Sequence, residues 1–404
     1  MFAFVMAAGP RAQELTLEEA QRLAETAQPQ LNARRSAIEA AGEAAAAARE
    51  LPDPKLKLGF LNVPIEGDEA FSLDAEPMTM AMIGVVQAFP RQSKRMLRGE
   101  VYSLVGERGA SELAASRLRL RRDAALGWLQ AWLAERALEL IARQQAEARI
   151  EIESLVIALR NNRANAAEVS AARVELELLR DREQAQLGMK HAARARLARW
   201  VGERAAAPLP VALPEKPQPA NTDSLARDVA THPRLEAAQV QARIAETEAR
   251  LANLSTRPDW RMEVAYGHRA PKFGSMISLQ FQIDMPILQD RRQNRSIAAR
   301  LAEARQAREL REDELRQMRA AALQLHAQWE SADARSRLFE QRVLPEARKR
   351  LRAATASYRS GKSELGDVLE ARRALLDLEL ESLMRRGEVV RLLVELEYFE
   401  ATGE

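Results

Sequence analysis

The sequence contains no cysteine among its 404 residues. That absence excludes disulfide bonds, thiolate-bound zinc and cysteine nucleophiles. Aromatic residues make up only 4%, and glycine and proline number 17 each, whereas alanine, leucine, arginine and glutamate dominate. This composition favours long helices over compact mixed domains.

The sequence also lacks long apolar runs and blocks of one charge sign. No stretch of about eighteen apolar residues occurs, so we predict no membrane-spanning helix, and a structure that crosses a membrane would have to be a barrel. Lysine plus arginine number 61 against 58 acidic residues, a net charge of +3, and the two signs are interspersed. We therefore predict no nucleic-acid partner.

The first residues have features of a secretory signal. Met1–Gln13 contains a short apolar run, small residues and a small-residue cleavage site near Ala12, although the basic segment that usually opens a signal peptide is missing. We interpret residues 1–12 as a signal-peptide remnant and predict that the protein is exported.

Met276–Ile287 alternates strictly between apolar and polar side chains. Alternation at period two indicates a strand with one apolar and one polar face, and this length suits a strand tilted across a bilayer. We predict strands at about 276–287 and, by the same pattern, at about 55–63, 78–89 and 259–267. An ordinary half-buried strand of a soluble sheet is the alternative for each.

A long helical hairpin follows the first two strands. Residues 91–207 contain no proline, and apolar residues recur there at three- and four-residue steps, which indicates an amphipathic helix. The polar patch at 161–165 is the natural turn, giving antiparallel helices of about sixty and forty residues. Residues 15–50 are predicted to form a further helix.

The order of these elements occurs twice. We assign residues 13–207 to a first repeat, 208–222 to a proline-rich linker and 223–404 to a second repeat, in which Pro345 breaks the long helical run. The fold class is therefore mainly α with a small β part, built from a duplicated unit of helix, strand, strand and long helical hairpin.

Four strands with apolar faces cannot close a membrane barrel, because at least about eight are needed. Three chains would supply twelve strands, and the same symmetry would assemble the helices into a tube. The apolar side chains would then face lipid: Leu56, Leu58, Phe60, Trp260, Tyr266, Ile277, Leu279, Phe281 and Ile283. The polar side chains would face a wet lumen: Lys55, Lys57, Arg261, Glu263, Ser278, Gln280, Gln282 and Asp284.

Three segments of the second repeat carry a resemblance to a known family: Leu344–Ala347, Tyr358–Lys362 and Asp367–Ala371. Together with the duplicated layout, they resemble the TolC-like outer membrane efflux proteins (outer membrane factors), and the overall pattern resembles the heavy-metal-exporting branch. The resemblance implies a homotrimer with a 12-stranded outer-membrane β-barrel and a periplasmic helical tube. It also implies a passive duct that docks to a periplasmic adaptor and to an inner-membrane pump of the RND type.

The resemblance further implies a periplasmic gate. Tyr358, Asp367 and Glu370 match its positions, and rings of carboxylates in a narrow pore favour cations. Asp367 and Glu370 could equally be solvated helix positions near a turn. Residues suited to positive φ or to tight turns mark the two helical tips: Asn161, Asn162, Gly361 and Lys362.

The remaining chemistry-bearing residues predict no enzyme and no cofactor. The four histidines are scattered without ligand spacing, so we predict no metal centre among them. Met78, Met80 and Met82 fall on one face of the second strand. Thioethers favour Cu(I) or Ag(I), but methionines in strands are more often ordinary apolar residues, and both interpretations stay open.

Two other classes of protein compete with the duct. A periplasmic adaptor has one helical hairpin beside a lipoyl-like β domain, whereas this sequence predicts two hairpins and no such domain. A soluble coiled-coil scaffold would leave the four apolar strand faces unexplained.

Overall fold

The computed structural model describes residues 13–26, 28–162 and 164–400. The predicted signal-peptide remnant, residues 1–12, lies outside this part of the chain. The helices within it are α1 (Leu17–Thr26), α2 (Pro29–Arg49), α3 (Gln92–Arg160), α4 (Ala166–Val201), α5 (Thr222–Ala230), α6 (Pro233–Asn253), α7 (Gln293–Leu338), α8 (Leu344–Arg359) and α9 (Leu365–Glu397). The strands are β1 (Lys55–Leu61), β2 (Met80–Phe89), β3 (Trp260–His268) and β4 (Met276–Ile283).

Long helices dominate the structure. α3 has 69 residues and α4 has 36, whereas the mean helix of a globular protein has about 12. The order of two helices, two strands and a long helical hairpin occurs twice along the chain. The predicted fold class, mainly helical with a small sheet in a duplicated unit, is confirmed. The helices of the described segments include none that is long and apolar enough to cross a lipid bilayer.

Two helix predictions differ from the structure, and proline is the reason in both. The single helix predicted for residues 15–50 is divided into α1 and α2, since Pro29 opens α2 and proline disfavours a helical residue before it. Pro345, by contrast, does not break the second long run. A π turn, Phe339–Val343, joins α7 to α8, with the Leu344 N–H donating to the Phe339 carbonyl. This wider turn accommodates the proline ring, which clashes with a regular helical turn.

The four strands form one antiparallel sheet in the order β1-β2-β3-β4. Three of the strands are shorter than predicted, because β1 and β4 end earlier and β2 begins later. β1 ends at Leu61 because Asn62 has a φ of 55°, outside the extended region. β4 ends before Pro286, which disfavours regular pairing. Met78 and Asp284, both predicted on strands, therefore lie outside β2 and β4.

The chain divides into two compact units that cut across the sequence repeats. Unit 1 is the described part of Met1–Leu31, Ala114–His232 and Leu315–Glu404, and unit 2 is Asn32–Leu113 and Pro233–Glu314. Each unit therefore contains segments of both repeats, because the matching elements of the two repeats pack side by side.

Two tryptophans of α3 organise the core of unit 1. Trp128 is fully buried, and its indole N–H donates to the Leu15 carbonyl at 2.7 Å. The Trp132 indole N–H donates to the Pro210 carbonyl at 2.8 Å, and Leu197 of α4 packs in the same cluster. The segment before α1 and the proline-rich linker are thereby held against the long helices.

An ion pair in unit 2 fixes the start of β3 to the first turn of α3. The Asp259 carboxylate accepts hydrogen bonds from the Arg91 backbone N–H at 3.0 Å and from the Lys94 ammonium at 2.7 Å. The Lys94 side chain is only 9% exposed and also donates to the Arg257 carbonyl. Burial by itself would raise the pKa of Asp259, but the bonds from Lys94 and Arg91 outweigh it and hold that pKa below its ordinary value.

We expect Asp259→Ala to destabilise the protein by about 1–3 kcal/mol, because it leaves the buried Lys94 ammonium without its carboxylate. Thermal unfolding in detergent, followed by circular dichroism, measures the loss. Since the pKa of Asp259 is lowered by folding, its stabilisation is present above the ordinary carboxyl pKa of 3.8 and is lost as the pH falls through the folded value. The difference between wild type and variant should therefore shrink in strong acid.

Asp53→Ala is the matched control, because Asp53 is the first-repeat counterpart of Asp259 and is exposed. An equal loss of stability in this control would contradict the role assigned to Asp259.

Candidate functional site

The sheet exposes most of the large apolar side chains of one face. Residues paired across antiparallel strands share a face, and the register joins Leu58, Ile83, Tyr266 and Ile277 in one row. The nine predicted lipid-facing side chains are exposed by between 42% (Trp260) and 78% (Ile277). A contiguous apolar surface of this kind marks contact with a membrane or another protein.

The opposite face of the sheet is polar. Lys57 Nζ lies 2.8 Å from Glu263 Oε1 and spans β2, where Gly84 pairs with Lys57. A Cβ at Gly84 would come within 2.9 Å of a neighbouring side chain, so glycine leaves the room that this row needs. Arg261 lies 3.3 Å from Asp284, just past the end of β4. The register places the predicted lumen-facing strand residues on this face: Lys55, Lys57, Arg261, Glu263, Ser278, Gln280 and Gln282.

An aromatic cluster occupies the end of the apolar face where β2 leads into α3. The Phe89 and Trp260 rings stack with centroids 4.2 Å apart, and Phe281 lies 6.3 Å from Trp260. Aromatic rings in such a position are typical of the boundary between membrane and water. Sequence reasoning singled out Trp260 and missed Phe89, because the contact depends on which strands are neighbours.

The turn between α8 and α9 is closed by Gly361. This residue has a φ of 73°, which glycine adopts without strain. Its N–H donates to the Tyr358 carbonyl, and the Lys362 N–H donates to the Ser357 carbonyl, each at 2.9 Å. This is the Schellman arrangement that ends many helices.

The turn between α3 and α4 has asparagine at the position that corresponds to Gly361. Asn162 has a φ of 55°, and its N–H donates to the Leu159 carbonyl at 3.1 Å. Asn161 precedes it in the same turn. Arg163, which we included in the predicted polar patch, lies outside the described residues.

Tyr358 ties the end of α8 to the start of α4. Its hydroxyl donates to Glu168 Oε2 at 3.1 Å. Asn165 caps α4 by accepting from the Glu168 N–H at 2.9 Å and donating to Glu168 Oε1 at 3.0 Å. Burial, and then the hydrogen bond and charge of Glu168, raise the pKa of the Tyr358 hydroxyl, so it remains a donor at neutral pH. The sequence did not identify Glu168 as its partner.

Asp367 and Glu370 lie on the exposed side of the first turns of α9. Glu370 Oε1 lies 2.7 Å from an Arg350 guanidinium nitrogen. Asp367 stands three residues after the N-cap of α9, the position that Glu168 holds in α4, where a carboxylate interacts favourably with the helix dipole. The Tyr358 hydrogen bond goes to Glu168 and not to either of these acids.

Two arginines of α9 bind the neighbouring helices of unit 1. Arg372 forms an ion pair with Glu151 of α3, and Arg373 forms one with Glu175 of α4. The Arg372 side chain is 14% exposed, and burial lowers its pKa. Sequence reasoning missed both pairs, because the partners are far apart in the chain and only helix packing brings them together.

The histidines serve as packing or surface groups. His232 is buried, with Nε2 3.0 Å from the Tyr398 carbonyl, and His268 Nδ1 lies 3.3 Å from the Ser275 hydroxyl. Among the described residues, no group of three or more histidine, aspartate or glutamate side chains is arranged to hold a metal ion.

Residues 227–399 match the model of a family described as outer membrane efflux protein. The matched segment contains β3, β4 and the helical tip with Tyr358, Gly361 and Asp367. Comparison with curated proteins found no match.

Solved structures share the fold over nearly the whole chain. A membrane protein from Pseudomonas aeruginosa aligns with a TM-score of 0.81 and 15% identity, covering 95% of this chain and 92% of that one. CusC, described as forming a transmembrane channel, aligns with a TM-score of 0.79 and 15% identity, covering 99% and 96%. The outer membrane channel CmeC from Campylobacter jejuni aligns with a TM-score of 0.73 and 12% identity, covering 96% and 87%.

The fold is therefore one that outer membrane channels adopt. Residues 227–399, most of the second repeat, match the outer membrane efflux protein family that the sequence resembles, and the whole chain shares the fold of the channels CusC and CmeC.

We expect Tyr358→Phe to loosen the helical tips without unfolding the protein, because it removes one hydrogen bond to a carboxylate, worth about 1.5–3 kcal/mol. Amide hydrogen exchange should become faster in the turn at 161–165 and in the turn at 360–364. Tyr102→Phe, which removes a hydroxyl from an exposed tyrosine in unit 2, is the control. Unchanged exchange at the tips would show that the Tyr358 bond does not restrain them.

Proposed function

We propose that the protein is the passive exit duct of a tripartite efflux system. Three copies form the duct, the sheets of the three chains close a 12-stranded barrel in the outer membrane, and the helical hairpins extend into the periplasm. The duct docks to a periplasmic adaptor and to an inner-membrane pump of the RND type. The protein itself does no chemistry.

The two-faced sheet is the observation that carries this proposal. One face exposes large apolar side chains, and the other carries the Lys57–Glu263 ion pair. β1 and β4 are edge strands of the sheet, and exposed edges pair readily with strands of another chain. Joining β4 of one copy to β1 of the next removes both edges, and it turns one continuous face to lipid and the other to water.

A soluble scaffold or an adaptor is less consistent with the same sheet. Either would leave the apolar side chains of four strands in water, a patch that soluble proteins rarely expose. In the duct, lipid covers that patch and the aromatic cluster around Trp260 lies at the membrane boundary.

We further propose that the helical tips form the periplasmic gate. The Tyr358–Glu168 hydrogen bond holds the two hairpins of one chain together, and Asp367 and Glu370 are exposed beside it. Repeated three-fold, these acids would make a narrow entrance that favours cations and repels anions. Heavy-metal cations are the cargo that this charge pattern supports.

The assembly is tested by cross-linking, for which the cysteine-free chain is well suited. Gly59→Cys on β1 and Ser278→Cys on β4 place one thiol near each sheet edge, and a flexible bis-maleimide should join neighbouring copies. We expect a ladder that stops at the trimer in the detergent-extracted outer-membrane fraction.

Gly59→Cys alone is the control, since it lacks the second edge thiol and should give far less trimer. A soluble, uncross-linked protein, or a ladder that continues past three copies, would contradict the proposed duct.

The gate is tested in planar bilayers. Replacing Asp367 and Glu370 with alanine should weaken the block of single-channel current by multivalent cations, because the entrance loses six carboxylates per trimer (two in each of three chains). Asp181→Ala with Glu203→Ala removes the same charge from exposed positions elsewhere in unit 1 and should leave the block unchanged. Equal block in the wild type and the gate variant would exclude these acids from the gate.

A further inference from the structure

One row of the polar face, near the β1–β2 loop, alternates between glycine and methionine. The register pairs Gly59 with Met82, Met82 with Gly267, and Gly267 with Met276. Neighbouring strands lie about 4.8 Å apart, so Met82 and Met276 stand on either side of Gly267 with their Cα atoms about 10 Å apart. Both side chains rise from the same face, and the glycine between them has none.

A third methionine fills the space above that glycine. Met80 lies two residues before Met82 on β2 and therefore points to the same face. Its sulfur lies 2.6 Å from the place where a Cβ of Gly267 would be. Gly267 is buried even though it stands on a face open to water, because the Met80 thioether covers it. Three methionines thus stand next to Gly267 on one face of the sheet.

The row of the polar face next to the three methionines is nearly neutral. The adjacent row contains Lys57, Gly84, Ala265 and Ser278, and Glu263 neutralises the ammonium of Lys57. Hard cations need several oxygen ligands, and these two rows contain no carboxylate. Thioether sulfur selects soft metal ions such as Cu(I).

We propose that Met80, Met82 and Met276 form a binding site for a soft monovalent cation, Cu(I) or Ag(I). Met78, the third methionine of the sequence pattern, is not part of it, since it precedes β2 and is 54% exposed. The place of the site on the wall of the lumen rests on the proposed function, whereas the binding of the ion does not. Within the duct, the site would hold a soft ion near the end opposite the aromatic cluster.

Titration of the purified, detergent-solubilised protein with Ag(I) in chloride-free buffer tests the site. We expect one ion per chain in isothermal titration calorimetry. Leucine nearly conserves the volume of methionine, so replacing all three with leucine should abolish binding while leaving the oligomer and the circular dichroism unchanged. Each single variant should bind more weakly by at least the roughly tenfold that loss of an outer-shell partner costs a metal site.

The control variant replaces three exposed helical methionines, Met96, Met189 and Met384, with leucine, and it should bind like the wild type. Wild-type binding by the Met80, Met82 and Met276 triple variant, or equal loss in the control, would overturn the proposal.

A pair of glycine variants tests the geometry with all sulfurs present. Gly267→Ala puts a methyl group against the Met80 sulfur and should weaken Ag(I) binding, whereas Gly59→Ala in the same row meets no atom within 4 Å and should not. X-ray absorption at the silver edge should show sulfur ligands only, and a shell of oxygen or nitrogen would contradict the site.

Efflux is a separate readout. If the purified protein binds Ag(I) at this site but deletion of the protein from cells leaves Ag(I) export unchanged, the binding site stands and the proposed function fails. If deletion of the protein abolishes export but the purified protein does not bind Ag(I), the proposed function stands and the binding site is refuted.

Discussion

Antiparallel pairing of four strands from two distant parts of the chain is the interaction on which the structure depends. β2 and β3 are separated by the whole long hairpin and the linker, yet they pair along nine residues from Ala81 to Phe89. This pairing brings the two repeats side by side, gives the sheet one apolar and one polar face, and leaves β1 and β4 as its edges. A single repeat has only a two-stranded hairpin, which is marginal in water.

The two helical tips are also duplicated, but they differ in one hydrogen bond. Both turns end a helix with a residue at positive φ and begin the next helix with an acid three residues after its N-cap. Only one of the two acids, Glu168, receives a tyrosine hydrogen bond; the residue that corresponds to Tyr358 in the first turn is Leu159. The acid of the second turn, Asp367, is thereby left exposed to solvent. Two equivalent positions thus have different tasks, one in holding the hairpins together and one in presenting charge.

Polar contacts give the long helices their specific arrangement. The indole N–H groups of Trp128 and Trp132 donate to backbone carbonyls of the segment before α1 and of the proline-rich linker. Arg372 and Arg373 form ion pairs with glutamates of α3 and α4. Helices rich in alanine and leucine can slide along each other at little cost, whereas a buried charge that loses its partner is costly. These pairs therefore set the register of helices whose apolar contacts are nearly repetitive.

The sequence by itself determined the local features: the alternating strands, the proline-free hairpin, the repeat, the turn residues Gly361 and Asn162, and the resemblance to outer membrane efflux proteins. These depend on neighbours in the chain, through period, proline chemistry and tolerance of positive φ. The tertiary structure decided which distant side chains meet: Tyr358 with Glu168, Asp259 with Lys94, Phe89 with Trp260, and three methionines around Gly267. No local pattern encodes these contacts, because strand order and helix packing bring together residues that are up to 196 positions apart, as Met80 and Met276 are.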